Sequence, residues 1–219
     1  RFSVSGIRPE EHILAMPQDC RWYSEALLPT IFLPVSSGDI RGEAWSHVDG
    51  VVGHFDIGVE GRRKLKLRSE ARHFVVVEAK MFSPLSPGVK NAPGYNQAAR
   101  NIACMATTMK GLNPDQFTTL GFCVLAPKAQ LEAGFAKPYL DKSSILEVVK
   151  SRVRDYEDSP DMIMWFEDWF KPALDRLMIK EISWEETLRF LINRDHNASH
   201  LENFYERCLQ VRDARSKPA

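Results

Sequence analysis

The sequence predicts an α/β protein with a helical C-terminal extension, and three observations carry that expectation. The run Val75-Val76-Val77 within "HFVVVEAKM" (73–81) has the composition of a strand buried on both faces. "TTLGFCVLAP" (118–127) reads the same way, and between them "YNQAARNIACMATTMK" (95–110) suits a helix whose alanines permit close approach to a sheet. Beyond Asp141 the pattern is helical, over roughly 143–155, 161–178, 184–193 and 200–213.

Residues 9–18 suit a short helix or turn. Asp19 is placed to cap a helix through Trp22, Tyr23, Glu25, Leu27 and Leu28 that Pro29 stops. Glycines 38, 42, 50 and 53 then punctuate strand-like segments. "VVGHFDIGV" (51–59) is the first clear one, and "KLKL" (64–67) alternates as a half-exposed strand does. "SPLSPG" (83–88) is a loop stiffened by Pro84 and Pro87. Ser183 with Glu186, and Ser199 with Glu202, have the spacing that satisfies free amides at a helix start. The expected order is helix, three-strand meander, helix and strand over 1–140, then helices over 141–219.

Hydrophobic residues make up 44% of the 219 and charged residues 26%, an ordinary globular composition that excludes a disordered chain. No apolar run is long enough to cross a bilayer, and no basic segment precedes an apolar stretch at the N-terminus. A cytoplasmic protein without membrane partners is expected. Cys20, Cys104, Cys123 and Cys208 are widely spaced with no C-x-x-C pair, which argues against a zinc ribbon and suits reduced thiols. The net charge of zero hides a polarity. Residues 60–110 hold ten Lys or Arg against three Glu, whereas 141–190 hold eight basic against twelve acidic residues. A one-sided positive surface of this kind suits a polyanion.

Three groups on the core carry chemistry. Glu78 and Lys80 end the valine strand two residues apart and so share a face, with Val76 on that face and Val75 and Val77 on the other. A carboxylate and an ammonium there are costly unless paired or bound to metal. Asp56 stands 22 residues before Glu78, room for a hairpin through "KLKL" that brings both carboxylates to one sheet edge. With the carbonyl of Ala79, Asp56 and Glu78 would form the hard oxygen cage that Mg²⁺ prefers, and Mn²⁺ would substitute. Lys80 would hold a water for in-line attack on phosphorus.

Asp56 with Glu78-Ala79-Lys80 resembles the paired motif of the PD-(D/E)XK nuclease superfamily, and the element order over about 19–127 is similar to its restriction-endonuclease-like core. The resemblance implies that Asp56 and Glu78 ligate magnesium and that Lys80 assists the attacking water. Glu25 in "YSEALL" looks like the glutamate that many members carry on the preceding helix, and Gln97 looks like the glutamine on the helix after the Lys strand. Phe55 stands where the family writes proline. The implied function is a Mg²⁺-dependent nuclease acting on DNA in restriction, defence or repair. The rival is a non-catalytic nucleic-acid-binding or assembly module of the same fold.

On the nuclease reading Arg62, Arg63, Lys64, Lys66 and Arg68 sit on the hairpin and contact phosphates, with Lys90 and Arg100 flanking Gln97. The same basic run also suits an exposed hairpin protected from edge pairing. Trp165, Phe166, Trp169 and Phe170 line one helix face, as a packed seam or a homodimer interface. His196 and His200 are four apart without a convincing third zinc ligand. No Gly-x-Ser-x-Gly or Walker-type loop is present, which removes serine-hydrolase and nucleotide-triphosphatase readings.

Overall fold

The computed structural model describes residues 13, 14, 16, 17, 19–43, 45–59, 61, 63–193 and 195–215, with the backbone alone for residues 196 and 212–215. Most of the turn or helix expected over 9–18 lies outside the described residues, as does Arg62. A five-stranded mixed sheet forms the centre, in the order β1 (Arg21–Pro29), β2 (Trp45–Gly53), β5 (His73–Ala79), β6 (Thr119–Ala126) and β7 (Met178–Ser183). β1, β2 and β5 run antiparallel in succession, whereas β5, β6 and β7 run parallel. Between β2 and β5 the chain leaves the sheet to form a separate hairpin of β3 (Phe55–Ile57) and β4 (Leu65–Leu67).

The antiparallel meander is expected to begin after a helix over about 19–28, but that stretch is β1 itself. Glu-Ala-Leu-Leu favours helix in isolation, yet pairing with β2 over the length of the strand overrides local propensity. Trp22 and Tyr23 suit that ladder. Ala26 and Leu28 alternate into the core, as a strand with one buried face requires. Glu25 therefore lies on a strand, exposed and with a left-handed φ of +56°.

α1 (Gln97–Thr108) links β5 to β6 and lies on one face of the sheet. Asn96 caps it by accepting from the Ala99 amide, and Ala98, Ala99, Ala103 and Ala106 are buried. Two short helices, α2 (Lys128–Glu132) and α3 (Lys137–Leu140), follow β6, and the same face packs against α4 (Lys142–Arg154) and the aromatic helix. That helix runs as α5 (Pro160–Trp165), one π-helical turn over 166–170, and α6 (Lys171–Arg176). Pro172 has no amide hydrogen for the carbonyl one turn back, which fits a shift of hydrogen-bond register there. Trp165 is 1% exposed, edge-on to Phe32 at 5.7 Å, so this helix is a seam within the core. The opposite sheet face is smaller: Val52, Val75, Val77, Cys123, Leu125 and Ile182 with Ile13.

The region beyond residue 140 is not purely helical. β7 comes from it and pairs with β6, directly before α7 (Trp184–Ile192), whose start is the expected capping box of Ser183 and Glu186. "MIKEIS" is short and mostly half-buried, with a pattern too weak to separate from a helix end. α8 (Ser199–Arg215) closes the described chain. No described helix is long and apolar enough to cross a membrane.

His73 opens β5, 2% exposed, with neither ring nitrogen meeting a hydrogen-bond partner among the described residues. Burial, with a smaller contribution from His54, pulls its pKa from 6.5 to about 4. The neutral ring is the native form, so its contribution is complete above pH 6.5 and is lost as pH falls towards 4. Urea unfolding at pH 4.5 is expected to lose about 2–3 kcal/mol from this residue relative to pH 7.5. His73→Phe should flatten that acid limb; an unchanged pH slope would refute the assignment.

Candidate active site

The C-terminal end of β5 gathers the polar groups of the sheet. Glu78 follows the valines onto the α1 face and is 2% exposed. Its Oε1 accepts from Gln97 Nε2 at 2.6 Å and lies 2.7 Å from Lys80 Nζ, while Oε2 accepts from Asn101 Nδ2 at 2.9 Å. Glu78 and Lys80 thus meet on one face, as strand alternation requires.

The second carboxylate is Asp49 of β2, not Asp56. Gly50 pairs with Val77, which puts Asp49 at the level of Glu78. Asp49 Oδ2 accepts from the Ala79 amide at 2.7 Å, and its carboxyl lies against that of Glu78. Burial pushes the Glu78 carboxyl up to about 7. The Lys80 hydrogen bond opposes the rise, and the neighbouring Asp49 charge adds to it.

Asp56 goes elsewhere for a topological reason. β2 ends at Gly53 beside Phe74, near the start of β5, and the chain then turns out into the β3–β4 hairpin. Gly53 alone lies four residues along β2 from Asp49, about 13 Å, and Asp56 lies beyond the turn in the separate hairpin. Asp56 is half-exposed and held by Arg68 at 3.0 Å and Arg21 at 3.2 Å, which draw its carboxyl below its ordinary pKa. Glu25 falls opposite Asp49 in the β1–β2 register, yet its side chain is exposed and does not line the cleft described next.

A cleft of about 630 Å³ opens over the carboxylates. Glu43, Trp45, His47, Asp49, Glu78, Lys80, Lys90, Gln97 and Arg100 line it. Gln97 is fixed at both ends of its amide: Nε2 donates to Glu78 and Oε1 accepts from the Ser86 amide at 3.2 Å. That arrangement ties the proline-stiffened loop to the site. Asn101 is fully buried and also accepts from Ser46 Oγ at 2.9 Å, joining β2, α1 and β5 through one amide. Lys64 reaches the cleft wall with Nζ 4.2 Å from the Trp45 ring centroid. Arg63 and Lys66 stay exposed on the hairpin, where the Leu27–Lys64 bridge brings it against the β1 edge.

Asp49, Asn101, Trp45 and Glu43 are the site residues that sequence reasoning missed. Only a partial signal for Asp49 was present: Trp45-Ser46-His47-Val48-Asp49 alternates out and in, which marks an acid on a strand but not the strand end that it reaches.

Two adjacent carboxylates supply hard oxygen ligands, and the charge between them favours a cation. Among the described residues no group of three or more His, Cys, Asp or Glu side chains could hold a metal ion. A cation at Asp49 and Glu78 would complete its shell with carbonyl oxygen and water, as Mg²⁺ commonly does. His200 Nδ1 meets the Asn197 carbonyl at 2.6 Å, and the His196 side chain lies outside the described residues. A second cleft, about 400 Å³ between α7 and α8, sets Glu185, Glu202 and Glu206 against Arg189. It does not suit a polyanion. No family model, curated protein sequence or solved structure matches this chain.

Proposed function

We propose that the chain is a divalent-cation-dependent nuclease of the PD-(D/E)XK kind, hydrolysing phosphodiester bonds in DNA, with Asp49, Glu78 and Lys80 at its centre. The observation that carries the reading is the contact of Asp49 and Glu78 from neighbouring strands, with the Lys80 ammonium 2.7 Å from Glu78. The antiparallel β1–β2–β5 meander, followed by α1 and parallel β6, supports the reading because it resembles the strand order expected of such a core.

Mg²⁺ held by Asp49 and Glu78 would supply Lewis-acid polarisation of the scissile phosphate. Lys80 orients the attacking water and offsets charge growing on the phosphoryl oxygens. Gln97 and Asn101 hold the Glu78 carboxylate in orientation, as partners of a metal ligand do. Arg100 and Lys90 face the cleft as phosphate-binding cations.

DNA incubated with Mg²⁺ or Mn²⁺, as single strand, supercoiled circle or linear duplex, should be cut in at least one of these forms, and EDTA should stop the reaction. Lys80→Ala should slow it by roughly 10²–10³-fold, the usual loss of one preorganised electrostatic group. Binding without cutting under any metal would overturn the enzyme in favour of a binding module.

A further inference from the structure

We propose that the substrate strand is single-stranded at the site, with an unpaired base stacked on Trp45; this deepens the nuclease reading and rests on it. Trp45, His47 and Asp49 alternate on β2 with buried Ser46 and Val48, so the indole and the carboxylate project from one side of the same strand. They are four residues apart, about 13 Å along the strand, the scale of a short run of nucleotides. Trp45 is 37% exposed in the cleft wall, and Lys64 Nζ lies 4.2 Å from its ring centroid.

An indole with an ammonium against it presents both things a single strand offers. The Lys64 ammonium now lies over the ring, and a base can take that place when the ammonium shifts to the strand's phosphate. A paired base has its faces covered by its neighbours, and a duplex offers only its groove edges and backbone. Glu78 at the cleft floor is 2% exposed, so the scissile phosphate has to enter the cleft. A flexible strand follows that path more readily than a rigid duplex. Arg100 also lines the cleft, with its buried Nε lacking a hydrogen-bond partner among the described residues.

The test is binding by the full chain with Ca²⁺ in place of Mg²⁺, read by fluorescence anisotropy. The probes are a labelled oligothymidylate, an oligouridylate of equal length, and a DNA duplex. Either single strand should bind at least tenfold tighter than the duplex, and the two single strands together report whether the sugar matters. Trp45→Ala should weaken single-strand binding about tenfold and leave duplex binding unchanged, with Trp45→Phe recovering most of the loss. Equal affinity for duplex, or an Ala variant that melts normally and binds single strands like the parent, overturns the inference. Single-strand binding without cleavage under any metal would sink the nuclease reading alone. Metal-dependent duplex cleavage indifferent to Trp45 would sink this inference alone.

Discussion

Asp49→Asn should reduce metal-dependent cleavage by at least roughly 10²–10³-fold, while Asp56→Asn should cut at close to the parent rate. The two residues are seven apart in sequence, and both are acids in strands, so the pair separates the sites cleanly. Asn at 49 keeps the size of the side chain and an oxygen for the Ala79 amide, but removes the charge beside Glu78. A bound metal would lose one of its two proposed carboxylate ligands, and Glu78 loses a repelling neighbour. Its pKa should then fall from about 7, because the Asp49 charge no longer adds to the rise that burial causes. Asp56 sits on the half-exposed hairpin, held by Arg68 and by Arg21 of β1, and does not line the cleft. Rates measured at saturating Mn²⁺ and at limiting Mn²⁺ separate weakened metal binding from lost chemistry. Full activity in Asp49→Asn, or loss in Asp56→Asn with an unchanged melting curve, would remove the proposed centre.

The same pair shows how far the sequence could be read. Glu78 and Lys80 were legible because a valine run fixes the strand and a period of two fixes the face. Their first partner was not, because two acid-bearing strands of similar quality lie close together in the chain. Only the register, Gly50 beside Val77 and Gly53 beside Phe74, says which acid reaches the far end of β5. Register is set by pairing over distance and leaves no mark within "VDGVVGHFD". β1 was hidden differently: its helix-forming residues are overruled by a long ladder with β2. β7 was lost between two helices because six residues with two buried positions carry almost no period. By contrast, α1 and the Ser183–Glu186 capping box were visible because their determinants are local.

The largest effect on stability should come from Arg152→Ala, a loss of about 3–5 kcal/mol or roughly 10 °C in melting temperature. Arg152 of α4 is 3% exposed, and its guanidinium sits among three rings, 5.3 Å from Phe32, 5.3 Å from Tyr156 and 5.8 Å from Tyr95. It pairs with Asp155 at 2.9 Å, approaches Glu43 at 3.6 Å and donates to the Arg41 carbonyl. These contacts fasten the loop between β1 and β2 to the helical layer and hold Glu43 at the cleft. Burial raises the Glu43 carboxyl above its ordinary pKa, and Arg152, then Arg100, oppose that rise. Removing the guanidinium leaves a buried carboxylate short of its main counter-charge, which costs more than the lost packing. The penalty should therefore depend on pH. A group whose native pKa is raised contributes stability below its unfolded value and loses it as pH rises through the native one. Arg152→Ala should accordingly be closer to the parent at pH 5 than at pH 8. The double variant Glu43→Gln/Arg152→Met should recover more than half of the loss, because it removes the stranded charge and refills the space. Equal penalties at both pH values, or strictly additive variants, would mean that Arg152 acts through packing alone and that Glu43 is not held by its charge.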